Sequence, residues 1–173
     1  MGNYLDNKKL HQELLIYHSQ LKEAKEKGLP DPQASNFIGE AIIKIATEYS
    51  KYFKYNRYSP LWKEEMVWDG VENCIKYGIK SFDPEKYTNP HAYFTMIIEN
   101  SFIRRIKTEK KEQYKRLKGR QEMDLLNKLH SNTYKSNFEN EVADTIIADF
   151  ERKLVEEKEK RNTKKGIEAF IED

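Results

Sequence analysis

A chain of 173 residues suffices for one domain with a substantial core plus appendages, and 38% hydrophobic against 35% charged residues favours slender helices over a broad buried sheet. Its single cysteine, Cys74, excludes an intramolecular disulfide and a cysteine-cluster zinc site, and makes a reducing compartment the default. The net charge of +2 is uneven: Arg104 to Arg120 holds nine basic and two acidic residues, so the remainder is negative, which points to a polyanion on one face and a protein on another.

Asp6 caps a first helix through about Lys27, with Leu10, Leu14, Leu21 and Ala24 on one side and His11, Lys22, Lys25 and Glu26 mostly on the other. Gly28-Leu29-Pro30-Asp31-Pro32 stops it. The second helix, roughly Ser35 to Lys54, carries an apolar stripe of Ile38, Ala41, Ile42, Ile45, Tyr49 and Phe53 and belongs to the core. Ser59-Pro60 opens a third through about Tyr77, with Gly78 as its exit and Leu61, Val67, Val71, Cys74 and Ile75 facing inward. Glu65, Trp68, Asp69 and Glu72 lie three or four apart on another face. Such a charge stripe is ordinarily a solvated helix face.

After the turn SFDPEKYTNP, Asn89-Pro90 starts a fourth helix. Tyr93, Phe94, Ile97, Ile98, Phe102 and Ile106 recur at helical spacing, and Arg104, Arg105, Lys107, Lys110, Lys111, Lys115, Arg116 and Lys118 follow against only Glu109 and Glu112. This helix either runs on to about Leu129 or breaks near Gly119, and HSNTYKSNFE reads as a linker. A fifth helix, about Glu139 to Arg161, has Val142, Ile146, Phe150 and Leu154 along one side. Beyond a flexible lead from Asn162 to Lys165, GIEAFIED sets Ile167, Phe170 and Ile171 among acids, either as a last helical turn on the body or as a docking peptide. The resulting divisions are 1-34, a first helix and linker; 35-120, the main domain; 121-161, a linker and charged helix; and 162-173, a tail. The expected fold class is all-α.

Chemistry is sparse. His11, His18, His91 and His130 lack metal-ligand spacing, and no cysteine or paired carboxylate joins them, so no metal and no cofactor is expected. The four read as surface or half-buried residues, with a phosphate contact as the alternative for His91, just past a helix start beside aromatics. There is no Gly-rich phosphate loop, no G-x-S-x-G and no HExxH, and the acids interleave with lysines as solvated pairs do, so no catalysis is expected. No apolar run reaches membrane length and MGNYLDNKKL lacks the apolar core of a signal peptide, so the expectation is a soluble, unexported protein with no membrane partner.

The order of EEMVWDGVENCIKYGIKSFDPEKY and NPHAYFTMIIENSFIRRIKTEKKE resembles region 2 of bacterial sigma factors, in particular the late-transcription sigma factors of T-even-like bacteriophages. The likeness covers roughly Ile38 to Lys118. Its most specific pieces are Glu65-Met66-Val67-Trp68-Asp69-Gly70, then Ser81-Phe82-Asp83, then Asn89-Pro90-His91-Ala92-Tyr93. The resemblance implies an all-helical fold that directs host RNA polymerase to AT-rich late promoters of the minus-ten type, in the cytoplasm of the infected bacterium.

Carried onto this chain, the resemblance makes Glu65, Trp68, Asp69 and Glu72 the surface that docks on the helical coiled coil of the polymerase's largest subunit, reversing the solvated reading of that stripe. It assigns promoter DNA to Tyr93, Met96, Ile97, Asn100, Arg104, Arg105, Lys107, Lys110 and Lys111. Within that set Tyr93 holds unstacked bases, Asn100 reads the upstream edge of the melting element, and Arg104 and Arg105 meet phosphates. Primary sigma factors carry a tryptophan pair as a wedge at the fork, where this chain has Met96 and Ile97. No helix-turn-helix for a minus-thirty-five element follows Lys118. Ile167, Phe170 and Ile171 are similar to the C-terminal epitope by which late sigma factors bind the replication sliding clamp, and a phage late co-activator is a further partner. The alternative reading is a helical nucleic-acid-binding adaptor without polymerase-specific function.

Overall fold

A computed structural model describes residues 5–130 and 137–168, and the fold is all-α. Three helix starts follow from local chemistry. Before α1 (Asn7–Glu26), the Asp6 carboxylate accepts from the Lys9 N–H at 3.0 Å. Before α2 (Asn36–Ser50), Ser35 Oγ accepts from the Ile38 N–H at 3.4 Å. Before α3 (Pro60–Asn73), Ser59 Oγ accepts from the Trp62 N–H at 3.3 Å, with proline in the first turn. Gly28, at φ 65°, takes the left-handed conformation that ends α1.

Two element ends differ from the sequence expectation. Helix α2 stops at Ser50 rather than Lys54, and a 3-10 turn, Phe53–Tyr55, follows an extended Tyr52. The change of path hands the inward position to Tyr55, which is buried, and leaves Phe53 86% exposed instead of in the stripe. Helix α3 does not exit at Gly78. It passes through a π turn, Cys74–Gly78, into the short α4 (Ile79–Ser81) with helical dihedrals at each junction. The wider turn shifts the register, so Cys74 and Gly78 are buried and Ile75 is exposed rather than inward. Leu61, also expected inside, is exposed in the first turn of α3.

The remaining helices are α5 (Pro90–His130) and α6 (Asn137–Glu168). Helix α5 runs through Gly119 without a break, and α6 continues past Arg161, so the expected lead from Asn162 to Lys165 is helical. The chain forms two compact units, Met1–Ile106 and Lys107–Asp173, which divide inside α5.

The first unit has one core, in which Leu10, Leu14, Ile38, Ile42, Ile45, Met66, Phe82, Phe94, Ile98 and Phe102 are fully buried. Helix α1 is part of this core through Leu10, Leu14, Tyr17 and Leu21. Its histidines also hold the turn after α4: His18 Nε2 donates to the Ile79 carbonyl at 2.9 Å and His11 Nε2 to the Pro84 carbonyl at 3.1 Å. His11 thus faces inward, edge-on to Phe82, rather than outward with the lysines. Burial pushes the Cys74 thiol up to about 12, so it behaves as a small apolar core residue. Helices α3 and α5 meet at glycines: a methyl group added at Gly70 would lie 3.3 Å from both Ile98 Cγ2 and Phe102 Cε1, and one added at Gly78 would lie 2.9 Å from Ile97 Cδ1.

In the second unit the ring of Tyr114 stacks on Phe150, with centroids 4.6 Å apart, and its hydroxyl donates to Glu151 at 3.0 Å. Lys118 pairs with the same carboxylate at 2.6 Å, and that hydrogen bond, with the one from Tyr114, holds the Glu151 carboxyl below the usual carboxylate range. Among the described side chains of α6, Ile147 is buried, while Val142 and Leu154 of the expected stripe are exposed.

Candidate nucleic-acid groove and acidic face

The start of α5 is fixed from two directions. Asn89 Oδ1 accepts from the Ala92 N–H at 3.1 Å, as a helix cap does, and Asn7 Oδ1 reaches from α1 to accept from the His91 N–H at 3.0 Å. Asn7 Nδ2 in turn donates to Asn89 Oδ1 at 3.1 Å. This anchoring sets the rotation of α5. Tyr93, Ile97, Asn100 and Arg104 then fall on one face, at the four- and three-residue steps of a helical stripe.

That face borders an open cavity of about 260 Å³ in the first unit. The opposite wall is Asn73, Tyr77 and Ser81 from α3, the π turn and α4, and Gly78 and Ser101 also line it. Its chemistry suits a planar heterocycle on a phosphate chain: aromatic rings for stacking, amides for base edges, and a guanidinium for phosphate. Tyr77 is 66% exposed, and Asn100 and Arg104 are exposed beside it. Asn73 Nδ2 donates to the Asp69 carbonyl at 2.8 Å, which identifies its other amide atom as the acceptor oxygen. Ser101 Oγ donates to the Ile97 carbonyl at 2.9 Å, so its hydroxyl proton is already in use.

Tyr93 enters the groove from an aromatic cluster. Its ring lies edge-on to Phe82 at 5.1 Å and beside Tyr87 at 5.2 Å. Burial, and then the neighbouring Tyr87, raise its hydroxyl above the ordinary tyrosine value, so it stays a neutral donor near pH 7. His91 is half-buried, and burial lowers its imidazole below the ordinary value, which makes it neutral and a poor phosphate ligand at that pH.

Of the nine residues assigned to DNA, the groove brings together Tyr93, Ile97, Asn100 and Arg104. Met96 is 56% exposed and does not line the groove, so the apolar pair Met96 and Ile97 is split between two faces of α5. Arg105 does not line the groove either: its guanidinium bonds Glu65 and reaches Asp69 at 3.5 Å. Lys107, Lys110 and Lys111 are exposed and belong to the second unit. Asn73, Tyr77 and Ser81 escaped the sequence reading. Asn73 and Tyr77 fall within the expected third helix, but no periodicity marks them as facing Tyr93, and Ser81 lies beyond its expected exit at Gly78.

The acidic face is less acidic than its sequence. Trp68 is 55% exposed, as a docking aromatic must be, but Glu65 and Asp69 hold Arg105 and Glu72 pairs with Lys76 one turn on. The tail residues Phe170 and Ile171 lie outside the described residues, and of Ile167 only its place in α6 is described. Among the described residues no cluster of three His, Cys, Asp or Glu side chains is placed to hold a metal ion, and no helix is long and apolar enough to cross a membrane. Neither a family model nor a curated protein matches the chain.

Proposed function

We propose that the chain is a sigma factor built on region 2, of the late class of T-even-like phages. It docks on host RNA polymerase core through the face around Trp68, holds the melted strand of an AT-rich minus-ten-type promoter in the groove, and takes the replication sliding clamp on its tail. The observation that carries this reading is the double use of one helix pair. Helix α3 presents Trp68 with Glu65, Asp69 and Glu72, and the turn that continues it supplies the groove wall facing Tyr93, Asn100 and Arg104 of α5. A protein-docking aromatic and a base-sized polar groove on the same two helices suit a factor that links a polymerase to a strand.

The chemistry needs no nucleotide hydrolysis. Extruding a base costs a few kcal/mol, least at AT-rich steps, and stacking returns about 1–3 kcal/mol per base. Capture of unstacked bases, with core polymerase holding the duplex in place, then drives strand separation.

Two measurements test the reading. Trp68→Ala is expected to weaken binding of the full chain to core polymerase at least tenfold without changing its thermal midpoint; unchanged binding rejects the docking face. Run-off transcription with core enzyme is expected from both a premelted and a duplex AT-rich template. Asn100→Ala with Tyr93→Ala should remove the duplex signal while sparing the premelted one.

A further inference from the structure

Arg104 and Arg105 are consecutive, but a helix turns about 100° between neighbours, and they serve different surfaces. Arg104 is exposed and lines the groove. Arg105 has a side chain only 27% exposed, with Nη2 bonded to Glu65 Oε2 and Nη1 3.5 Å from Asp69 Oδ2. The two carboxylates sit one turn apart on α3, so a single guanidinium on α5 spans the pair. Their side chains are 40% and 36% exposed, which leaves water and other cations access to the oxygens Arg105 occupies. An ion pair this close to solvent is weak enough to exchange.

We infer that Arg105 is an internal stand-in for the cation of a docking protein, and that its displacement couples docking to DNA binding. This rests on the assignment of the groove to nucleic acid and of the acidic face to a protein partner. A lysine or arginine of that partner competes for the Glu65 and Asp69 oxygens. Once displaced, the Arg105 guanidinium is one residue from Arg104 and becomes an additional phosphate ligand. In the free chain one ion pair thus screens the docking face and withholds a cation from the strand. Linkage makes the effect reciprocal: phosphate that draws Arg105 away exposes the two carboxylates and tightens docking by the same factor.

The coupling is testable on the full chain without polymerase, using a fluorescent single-stranded AT-rich oligonucleotide as probe. Glu65→Gln combined with Asp69→Asn releases Arg105. The expected result is binding roughly two- to fivefold tighter, with a dependence of log K on log salt steeper by about 0.7, one more phosphate contact on a single strand. Arg105→Gln alone should change the free chain's affinity and slope far less than the two acid substitutions do, since in the free chain the carboxylates hold the group. In the Arg105→Gln background the two acid substitutions should add nothing, since the group they release is gone. If the gain persists in that triple variant, or if Glu72→Gln gives as large a gain, the effect is bulk charge and the coupling is overturned. Should the double variant lose its cooperative melt, Glu65→Gln alone carries the same prediction at about half the size. A wild-type chain that binds no oligonucleotide rejects the groove reading and the coupling with it. Binding that weakens in Arg104→Ala but shows no cycle effect rejects the coupling alone.

Discussion

At Gly78 and Gly70 the same missing atom has two consequences, because the neighbours differ in their freedom to move. A methyl group at Gly78 meets the far end of Ile97, a side chain bordering the open groove, whereas one at Gly70 meets Ile98 and Phe102, both fully buried. Replacing glycine by alanine in a helix gains about 0.8–1 kcal/mol, and overpacking a closed core costs about 1–3 kcal/mol. Gly70→Ala should therefore lose up to about 2 kcal/mol in urea denaturation, and Gly78→Ala should stay within about 1 kcal/mol of wild type while weakening oligonucleotide binding by moving Ile97. Equal losses at both sites would show that the groove floor is as rigid as the core. His91 gives a pH signature at the same scale. Burial lowers its folded pKa, so its neutral form is favoured by folding. The stability linked to it is fully present above the unfolded value near 6.5 and is lost as pH falls through the lower folded value. His91→Asn should flatten the fall in denaturation midpoint below about pH 6.5 relative to wild type.

The elements divide by whether their cause is local. The helix starts at Asp6, Ser35, Ser59 and Asn89 were legible because a cap is a contact between near neighbours in sequence. The π turn was not, since glycine at 78 has two readings, a helix exit or a close approach, and only the position of Ile97 on α5 decides between them. Helix α1 was under-read for a related reason. Its histidines look like surface residues until the carbonyls of Ile79 and Pro84 are brought to them. Asn7 is the residue by which α1 acts on the groove, because its Oδ1 satisfies the His91 N–H at the first turn of α5. Asn7→Ala should cost about 1 kcal/mol, the worth of a cap. Its effect should be concentrated in faster amide exchange of the first turn of α5, with little change at Ile98 or Phe102. A uniform rise across the first unit would place the role of Asn7 in the core of α1 instead.

Across the whole molecule, the sequence located the positive charge correctly and overestimated how much of it is available. Arg105 faces carboxylates, Lys118 is held by Glu151, and Lys115 pairs with Glu112 at 2.9 Å. A segment read as one continuous grip thus contains cations of two kinds, some committed to the chain's own acids and others facing solvent, as Arg104, Lys107, Lys110 and Lys111 do. Pattern alone does not separate them, because the paired acids Glu65, Asp69 and Glu151 are distant in sequence. The distinction has a measurable form. Phosphate contacts made by solvent-facing lysines contribute to affinity through released counterions, without regard to base sequence. Changing Lys107, Lys110 and Lys111 together to Gln should reduce the slope of log K against log salt by up to about 2 on a single strand, and weaken AT-rich and GC-rich oligonucleotides alike. On the proposed reading Asn100 meets a base edge, so Asn100→Ala should leave the slope unchanged and narrow the difference between the two sequences. If the lysine variant changed the preference for AT-rich strand, or Asn100→Ala changed the slope, the separation of a reading groove from a basic grip would fail, and both would belong to one non-specific surface.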